Sequence, residues 1–202
     1  MKEKNKAVGL AEEIKARGFV WYELPFQLNI IGVRSPSKRA GRFDDACWVV
    51  WADEKNQQKA VEFNMTCDPG PRYLKRPINR AGCAILAPGQ YVNAYKIGRH
   101  RGKYRALVQS GAPVKVFRDD DRDGFLDHAE ESAQSGWFGI NLHHAQGEYD
   151  FGDKFKGASA GCQVWASKKE FENFMRLCQT HRQHHGNFFT YTLLEGVGPD
   201  VE

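Results

Sequence analysis

The chain has 202 residues, 41% of them hydrophobic and 12% aromatic, which is enough apolar surface for a folded domain and excludes an intrinsically disordered protein. The formal net charge is +4, a bias too small to imply a nucleic-acid partner by itself. No run of 18 or more apolar residues is present, which excludes a membrane-spanning helix, and the charged start predicts no secretory signal.

The first predicted element is a helix over residues 5–16, in which Val8, Ala11 and Ile14 share one face. Short strand-like segments follow, rich in β-branched and aromatic residues and separated by proline and glycine turns. These segments cover residues 19–33, 46–52, 107–108 and 114–117, with an exposed loop predicted over residues 34–42. Such a series predicts a mainly β architecture.

A second helix is predicted near the C-terminus, where Ser167 and Glu170 fit a capping box. Its apolar residues recur at i, i+3, i+4 and i+7 and end at Cys178, which predicts that this cysteine belongs to the core. An aromatic-rich strand over residues 188–194 follows the helix.

Five scattered cysteines without a CxxC pair argue against a disulfide framework and against structural zinc. Cys162 lies 19 positions after His143, which follows an apolar run. A thiolate near a histidine base is the requirement of a cysteine enzyme. We expect Gly161 to allow a sharp turn, Ser159 to hold it, and the amides near Gly161 and Cys162 to face an oxyanion. The alternatives are an inert core cysteine and, for the base, His144, because adjacent strand residues face opposite ways.

A strand-end histidine followed by Ser-x-Gly-Cys resembles the L,D-transpeptidase family, and the resemblance lies within residues 139–165. It implies that Cys162 is the nucleophile and His143 the base, with Ser159 and Gly161 as motif residues. It also implies an L,D-transpeptidase-like β-sandwich, in which an N-terminal helical segment (residues 1–20) precedes a single β-rich catalytic domain (residues 21–202) with one C-terminal helix. The chain is further similar to phage-encoded proteins of this type.

The resemblance implies acyl transfer from a peptidoglycan stem peptide, through an acyl-enzyme on Cys162 that an amine or water then releases. The expected partners are stem peptides, with phage virion proteins as further candidates and no nucleic acid. The protein is expected to be made in the bacterial cytoplasm and to act at the cell wall. Two departures leave the substrate register and the acceptor open: Ala160 replaces a histidine, and Gln163-Val164 replaces an apolar residue followed by arginine.

A second candidate site is the acidic stretch over residues 119–130, which fits the twelve-residue calcium-loop template. Gly124 stands where the sharp turn is needed, and a bound ion would brace the strand that carries His143. The predicted ligands of a structural calcium ion are Asp119, Asp121, Asp123, Phe125 (through its carbonyl), Asp127 and Glu130. A solvated acidic turn is the alternative, since residues 114–117 predict a strand instead of an entering helix.

Two other functions are compatible with the sequence. The first is a non-enzymatic, calcium-binding phage structural or wall-binding protein. The second is a nucleic-acid-binding module that would use the basic, aromatic-containing residues 96–105. A solvated hairpin is the favoured interpretation of that basic segment, and contact with an anionic cell-wall polymer is its alternative.

Overall fold

The computed structural model describes residues 2–155 and 159–196. The helices are α1 (Lys2–Ala16), α2 (Pro71–Lys75) and α3 (Lys168–His185), with a short 3-10 helix at Glu130–Ser132. The strands are β1 (Asn29–Arg34), β2 (Asp45–Ala52), β3 (Gln58–Thr66), β4 (Cys83–Leu86), β5 (Gly89–His100), β6 (Tyr104–Gln109), β7 (Val114–Asp119), β8 (Gln134–Gly136), β9 (Leu142–His144), β10 (Gln163–Trp165) and β11 (Phe189–Glu195). The predicted mainly β, α+β architecture, with a helix near each end, is confirmed.

Eight strands close into a barrel in the order β1-β11-β5-β6-β9-β10-β3-β2. The β1–β11 and β9–β10 pairs are parallel, and the other barrel pairs are antiparallel. The remaining three strands form a separate antiparallel sheet in the order β4-β7-β8. The fold thus combines a closed eight-stranded barrel with a separate three-stranded sheet.

One apolar core is shared by the barrel, the second sheet and α3. Leu86 and Val116 of the second sheet are fully buried in the same cluster as Trp165 of the barrel. From α3, the Phe174 ring stacks on Trp165 with centroids 4.5 Å apart, and Cys178 is fully buried, as predicted. Burial of this aromatic material accounts for the docking of α3 against the barrel.

Helix α1 packs on the outer face of β1 and β2, but not through the predicted face. Ala7, Leu10 and Ile14 are buried against Ile31 and Trp48, whereas Val8 is 44% exposed. Val8, which the sequence places on one face with Ala11 and Ile14, lies outside the buried stripe, because the i, i+3, i+7 set that begins at Ala7 packs against the sheet.

The predicted strand over residues 19–33 is shorter than expected, because β1 begins only at Asn29. In the preceding segment, side chains bind the backbone in place of a β-ladder. The Gln90 amide bonds both the N–H and the carbonyl of Val20, and the Asn29 amide does the same for Tyr22. Phe26 has a φ of 62°, which is incompatible with a continuous strand.

The exposed loop predicted over residues 34–42 begins one residue later than expected, because Arg34 belongs to β1 and is buried. Its guanidinium lies 3.0 Å from Asp68 Oδ1 and 3.1 Å from Glu195 Oε1. It also donates to the carbonyls of Leu86 (2.8 Å) and Cys67 (3.4 Å). A buried arginine is tolerated here because it forms ion pairs with two carboxylates and donates hydrogen bonds to two backbone oxygens.

Helix α3 begins as the capping motif predicts, since the Ser167 side chain accepts a hydrogen bond from the Glu170 amide. A second acceptor at this helix start comes from elsewhere in the chain: the Glu148 carboxylate accepts a hydrogen bond from the Lys168 amide at 3.0 Å. Within the described residues, every helix is too short or too polar to cross a bilayer.

Candidate active site

Cys162 immediately precedes β10 and is partly exposed, whereas the other four cysteines are buried. Its Sγ accepts a hydrogen bond from the Asn141 amide at 3.4 Å, and its thiol points to the Gly139 carbonyl at 3.5 Å. The side chain also borders a small apolar cluster that includes Val164 and Phe155. Cys162 is thus the one cysteine that solvent and a substrate can reach.

The turn that presents Cys162 is held by Ser159, as the sequence predicted. Ser159 Oγ accepts the amides of Gly161 (3.0 Å) and Cys162, and its hydroxyl donates to the Cys162 carbonyl at 3.2 Å. Gly161 has a φ of +123°, and a Cβ there would lie 2.1 Å from the Ala84 carbonyl oxygen of β4. Only glycine satisfies both the conformation and the close approach.

The expectation that the amides of Gly161 and Cys162 face an oxyanion is wrong for this structure. Both amides donate to Oγ of Ser159, a residue that is 2% exposed. The serine hydroxyl satisfies them because buried N–H groups that lack a partner are costly. Ser159 therefore shapes the turn by occupying the donors that the prediction assigned to the oxyanion.

Strand register places His143, and not His144, on the face of Cys162. In the parallel β9–β10 pair, Gln163 is level with Leu142 and Val164 with His143. Paired residues of neighbouring strands share a face, and alternate residues share it too, so Cys162, Val164 and His143 project from one side of the sheet. His144 pairs with Trp165, whose side chain enters the main core.

The hydrogen bonds of His143 define its tautomer. Nδ1 lies 2.9 Å from the carbonyl oxygen of His144, which can only accept, so Nδ1 carries the proton. Nε2 then keeps its lone pair and is the nitrogen available as a base. The Tyr104 hydroxyl lies 3.4 Å from the same Nδ1 and donates to the His144 carbonyl at 3.3 Å, which holds the ring from a second strand.

Three further residues of this cluster were not predicted: His100, Tyr104 and Asn141. The His100 ring stacks on His143 with centroids 4.1 Å apart, and its Nδ1 lies 3.1 Å from Asn141 Nδ2. His100 and Tyr104 are the closing pair of the β5–β6 hairpin. Because His100 and Tyr104 pair across the hairpin, their side chains lie on the same face. The pairing of this hairpin with β9 depends on the tertiary structure and cannot be predicted from the local sequence.

The surroundings keep both reacting groups uncharged. Burial lowers the pKa of His143 to about 3, and the neighbouring His100, His144 and Arg101 reinforce the shift. Desolvation raises the pKa of the Cys162 thiol, although the Asn141 amide and the Ser159 side chain oppose the rise. At neutral pH the cluster therefore contains a thiol and a neutral imidazole, not a thiolate–imidazolium pair.

In the described part of the chain, no histidine ring nitrogen hydrogen-bonds Cys162 Sγ. The two side chains share a face, and a neutral imidazole there can take the thiol proton when the sulfur attacks an electrophile. The shared face is the geometry that such a transfer requires, and the low pKa of His143 makes the transfer uphill in the resting site.

Gln163 and Val164 stand where the resemblance leads one to expect an apolar residue and arginine. Both are fully buried. Gln163 Nε2 donates to the Cys67 carbonyl at 3.1 Å, and its Oε1 accepts the Tyr191 hydroxyl at 2.9 Å. Neither residue can contact a substrate, so a cation that binds substrate must come from another part of the fold.

The acidic loop keeps part of the predicted calcium geometry. Asp121 Oδ1 accepts the Asp123 amide at 2.9 Å, and Asp123 Oδ1 accepts the Phe125 amide at 2.7 Å. Asp119 Oδ2 accepts the Asp127 amide at 3.2 Å, while its buried Oδ1 has no hydrogen-bond partner. Burial and the nearby carboxylates of Asp127, Asp121 and Asp123 raise the pKa of Asp119 to about 6.

The twelfth loop position departs from the predicted arrangement. Glu130 forms an ion pair with Lys115 at 2.6 Å and is largely exposed. Across residues 2–155 and 159–196, no group of three or more histidine, cysteine, aspartate or glutamate side chains is placed to hold a metal ion. The six predicted ligands are therefore not assembled in this structure.

A cleft of about 610 Å³ lies beside the start of α3, between α3 and the loop after β9. Its lining is mixed in polarity and includes Glu148, Tyr149, Lys169 and Glu170, but neither Cys162 nor His143. The candidate active site is therefore not part of the lining of this cleft.

No protein-family model matches the chain, and no curated protein and no solved structure is significantly similar to it.

Proposed function

We propose that the chain is a cysteine acyl-transferase or peptidase that acts on peptidoglycan stem peptides at the cell wall, an enzyme of L,D-transpeptidase type. The observation that carries the proposal is that the partly exposed Cys162 and His143 lie on one face of the parallel β9–β10 pair. The tautomer supports it, because the His144 carbonyl holds Nδ1–H and leaves Nε2 as the basic nitrogen. The Ser159–Gly161 turn supports it further by fixing the position of the cysteine.

The proposed reaction begins with a neutral pair. As Cys162 Sγ attacks the carbonyl carbon of a stem-peptide amide, the thiol proton passes to His143 Nε2 and a tetrahedral oxyanion forms. Collapse breaks the C–N bond, and the imidazolium returns the proton to the leaving amine. An amine or a water molecule then attacks the thioester, gives its proton to His143 and releases the thiolate, which takes that proton back. The products are a new amide or a free carboxylate.

Incubation of purified muropeptides with the protein, followed by mass spectrometry, tests the proposal. We expect wild type to cleave or exchange a stem-peptide bond and a carbapenem to add once, at Cys162. The Cys162→Ala variant should lose both properties. Cys83→Ala, which alters a buried cysteine, should keep both.

The base is tested by a pair of adjacent substitutions. His143→Gln should lower turnover about 10²- to 10⁴-fold, the usual contribution of a general base, whereas His144→Gln should have a much smaller effect. Equal losses in the two variants, with folding unchanged by thermal denaturation, would contradict the assignment. Unchanged muropeptides after incubation with wild type, and no carbapenem adduct, would reject the enzymatic proposal.

We also propose that the acidic loop binds calcium and thereby braces the chain before β9. The supporting observation is the buried Asp119 Oδ1, an acceptor without a hydrogen-bond partner among three nearby carboxylates. A cation would satisfy this oxygen and relieve the repulsion. Binding would require Glu130 to exchange its exposed ion pair with Lys115 for the metal, a contact that costs little to break.

A further inference from the structure

The β5–β6 hairpin carries five cations that no carboxylate neutralises. Within the described residues, none of them takes part in an ion pair, although Arg99 donates to the carbonyls of its own turn, those of Gly102 (3.4 Å) and Lys103 (2.9 Å). The five are Lys96, Arg99, Arg101, Lys103 and Arg105.

The tip of this hairpin lies beside the candidate base. His100 and Tyr104 close the turn, and both contact His143: one ring stacks at 4.1 Å and the hydroxyl reaches Nδ1 at 3.4 Å. Arg101 and Gly102 have φ values of 49° and 71°, which form a tight turn between these two residues. The exposed Arg101 therefore sits next to the residues that surround His143.

Arg101 is the one permanently charged group that acts on the pKa of His143. No carboxylate acts on that pKa in either direction. Arg101 also stabilises the thiolate form of Cys162. A site with an unpaired cation and no acid favours a ligand that brings its own negative charge.

We propose that Arg101 is a specificity-determining residue that binds a carboxylate of the acyl donor, so that the substrate is an acidic stem peptide. The inference rests on the proposed function and assigns the substrate cation to the hairpin tip, because Gln163 and Val164 are buried. Guanidinium suits this role, since it binds carboxylate through two parallel hydrogen bonds. The neighbouring Lys103 adds long-range attraction without fixed geometry.

Calorimetric binding of a soluble stem tetrapeptide to the Cys162→Ala variant tests the inference without turnover. Arg101→Gln in that background should weaken binding on the order of tenfold, the loss expected for a charge-assisted hydrogen bond at a surface. Arg105→Gln is the matched control. Arg105 is also exposed, but it pairs with Arg99, one position from the closing pair, and strand alternation turns it to the other face. We expect the Arg105→Gln variant to bind the tetrapeptide as tightly as the Cys162→Ala parent does.

A tetrapeptide whose side-chain and terminal carboxylates are amidated should bind the parent about as weakly as the acidic peptide binds Arg101→Gln. Equal binding by the parent and Arg101→Gln would overturn the inference, as would tight binding of the amidated peptide. Failure of the parent to bind the peptide, with steeply salt-dependent binding of DNA, would assign the hairpin to nucleic acid instead.

The inference and the proposed function fail separately. Turnover of muropeptides with the same KM in wild type and Arg101→Gln would leave the enzyme in place and remove the role of Arg101. Carboxylate-dependent binding without turnover or carbapenem adduct would keep the binding site and remove the enzyme.

Discussion

At the scale of single residues, Cys162 stands apart because its reactivity depends on groups that the polypeptide backbone supplies. Its sulfur contacts the Asn141 amide and the Gly139 carbonyl, and its turn is fixed by the Ser159 hydroxyl. None of these contacts makes the thiolate strongly favoured, and desolvation raises the thiol pKa. The residue is therefore protonated at rest, and it is partly exposed to reagents.

This protonation state predicts the pH dependence of alkylation. Below the thiol pKa, the thiolate fraction and thus the rate of iodoacetamide addition to Cys162 should rise about tenfold per pH unit. Because that pKa is raised, the rise should continue beyond the pH at which an ordinary thiol levels off. Intact-mass spectrometry over time measures the rate, with Cys162→Ala as the blank. A plateau below neutral pH would instead indicate a thiolate–imidazolium pair.

Gly161 is the residue whose replacement should be least tolerated in the turn. An alanine there would have to keep a φ of +123° while its Cβ met the Ala84 carbonyl, so the turn must shift. We expect Gly161→Ala to lower the free energy of unfolding by at least about 1–3 kcal/mol, the cost of such a strained conformation. It should also slow alkylation of Cys162.

Gly102→Ala provides the control for that experiment, since Gly102 has a positive φ of 71° but open space around its Cβ position. Gly102→Ala introduces only the cost of the positive φ, without a steric contact. We therefore expect a smaller decrease in the free energy of unfolding than for Gly161→Ala. Urea unfolding of both variants gives the comparison. Equal losses would show that the contact with Ala84 does not matter.

At the scale of elements, the acidic loop after β7 is the segment whose behaviour should depend most on solution conditions. If calcium binds, wild type should gain about 2.7 kcal/mol of stability at a calcium concentration near 100 times Kd. The Asp121→Ala and Asp123→Ala variants should lose this gain, because each removes a predicted ligand. Asp120→Ala, at a position that is not a ligand in the template, should retain it.

Thermal unfolding with calcium, with magnesium and with a chelator measures the effect. An unchanged Tm in wild type on adding calcium, or an unchanged calcium-dependent gain in Asp121→Ala and Asp123→Ala, would reject the metal site. The loop would then be a solvated acidic turn held by its own Asx hydrogen bonds.

At the scale of the whole molecule, Arg34 connects parts of the chain that are far apart in sequence. It joins β1 to Asp68, to Glu195 of β11 and to the end of β4. Glu195 also accepts a hydrogen bond from His128, which lies within the acidic loop, at 3.0 Å. Hydrogen bonding from His128 and the charge of Arg34 lower the pKa of Glu195 to about 2, so this carboxylate stays ionised.

Replacement of Arg34 should strongly destabilise the fold. Arg34→Ala would leave Asp68 buried without its cation, and loss of one partner of a buried ion pair costs about 3–5 kcal/mol. The exposed Arg39→Ala is the control and should change stability little. Chemical denaturation measures both. A loss for Arg34→Ala no larger than that for Arg39→Ala would mean that the network contributes no net stability.

Much of the architecture follows from local patterns. The helix over residues 5–16, the buried strand over residues 46–52, the cap at Ser167 and the core position of Cys178 were all predicted, because periodicity and capping act within a few residues. The segment over residues 19–28 was not, since its backbone partners are side chains distant in sequence, such as Gln90.

By itself, the sequence determined the mainly β class, the cysteine worth testing and the glycine turn before it, because these depend on residue type and spacing. Only the tertiary structure decided that His143 and not His144 shares a face with Cys162, since the parallel β9–β10 register sets which residues face each other. Tertiary packing also decided that the Ser159 hydroxyl accepts the turn amides, that Arg34 is buried and that the basic hairpin lies beside His143. Each of these facts depends on atoms brought together from distant parts of the chain, which no local pattern records.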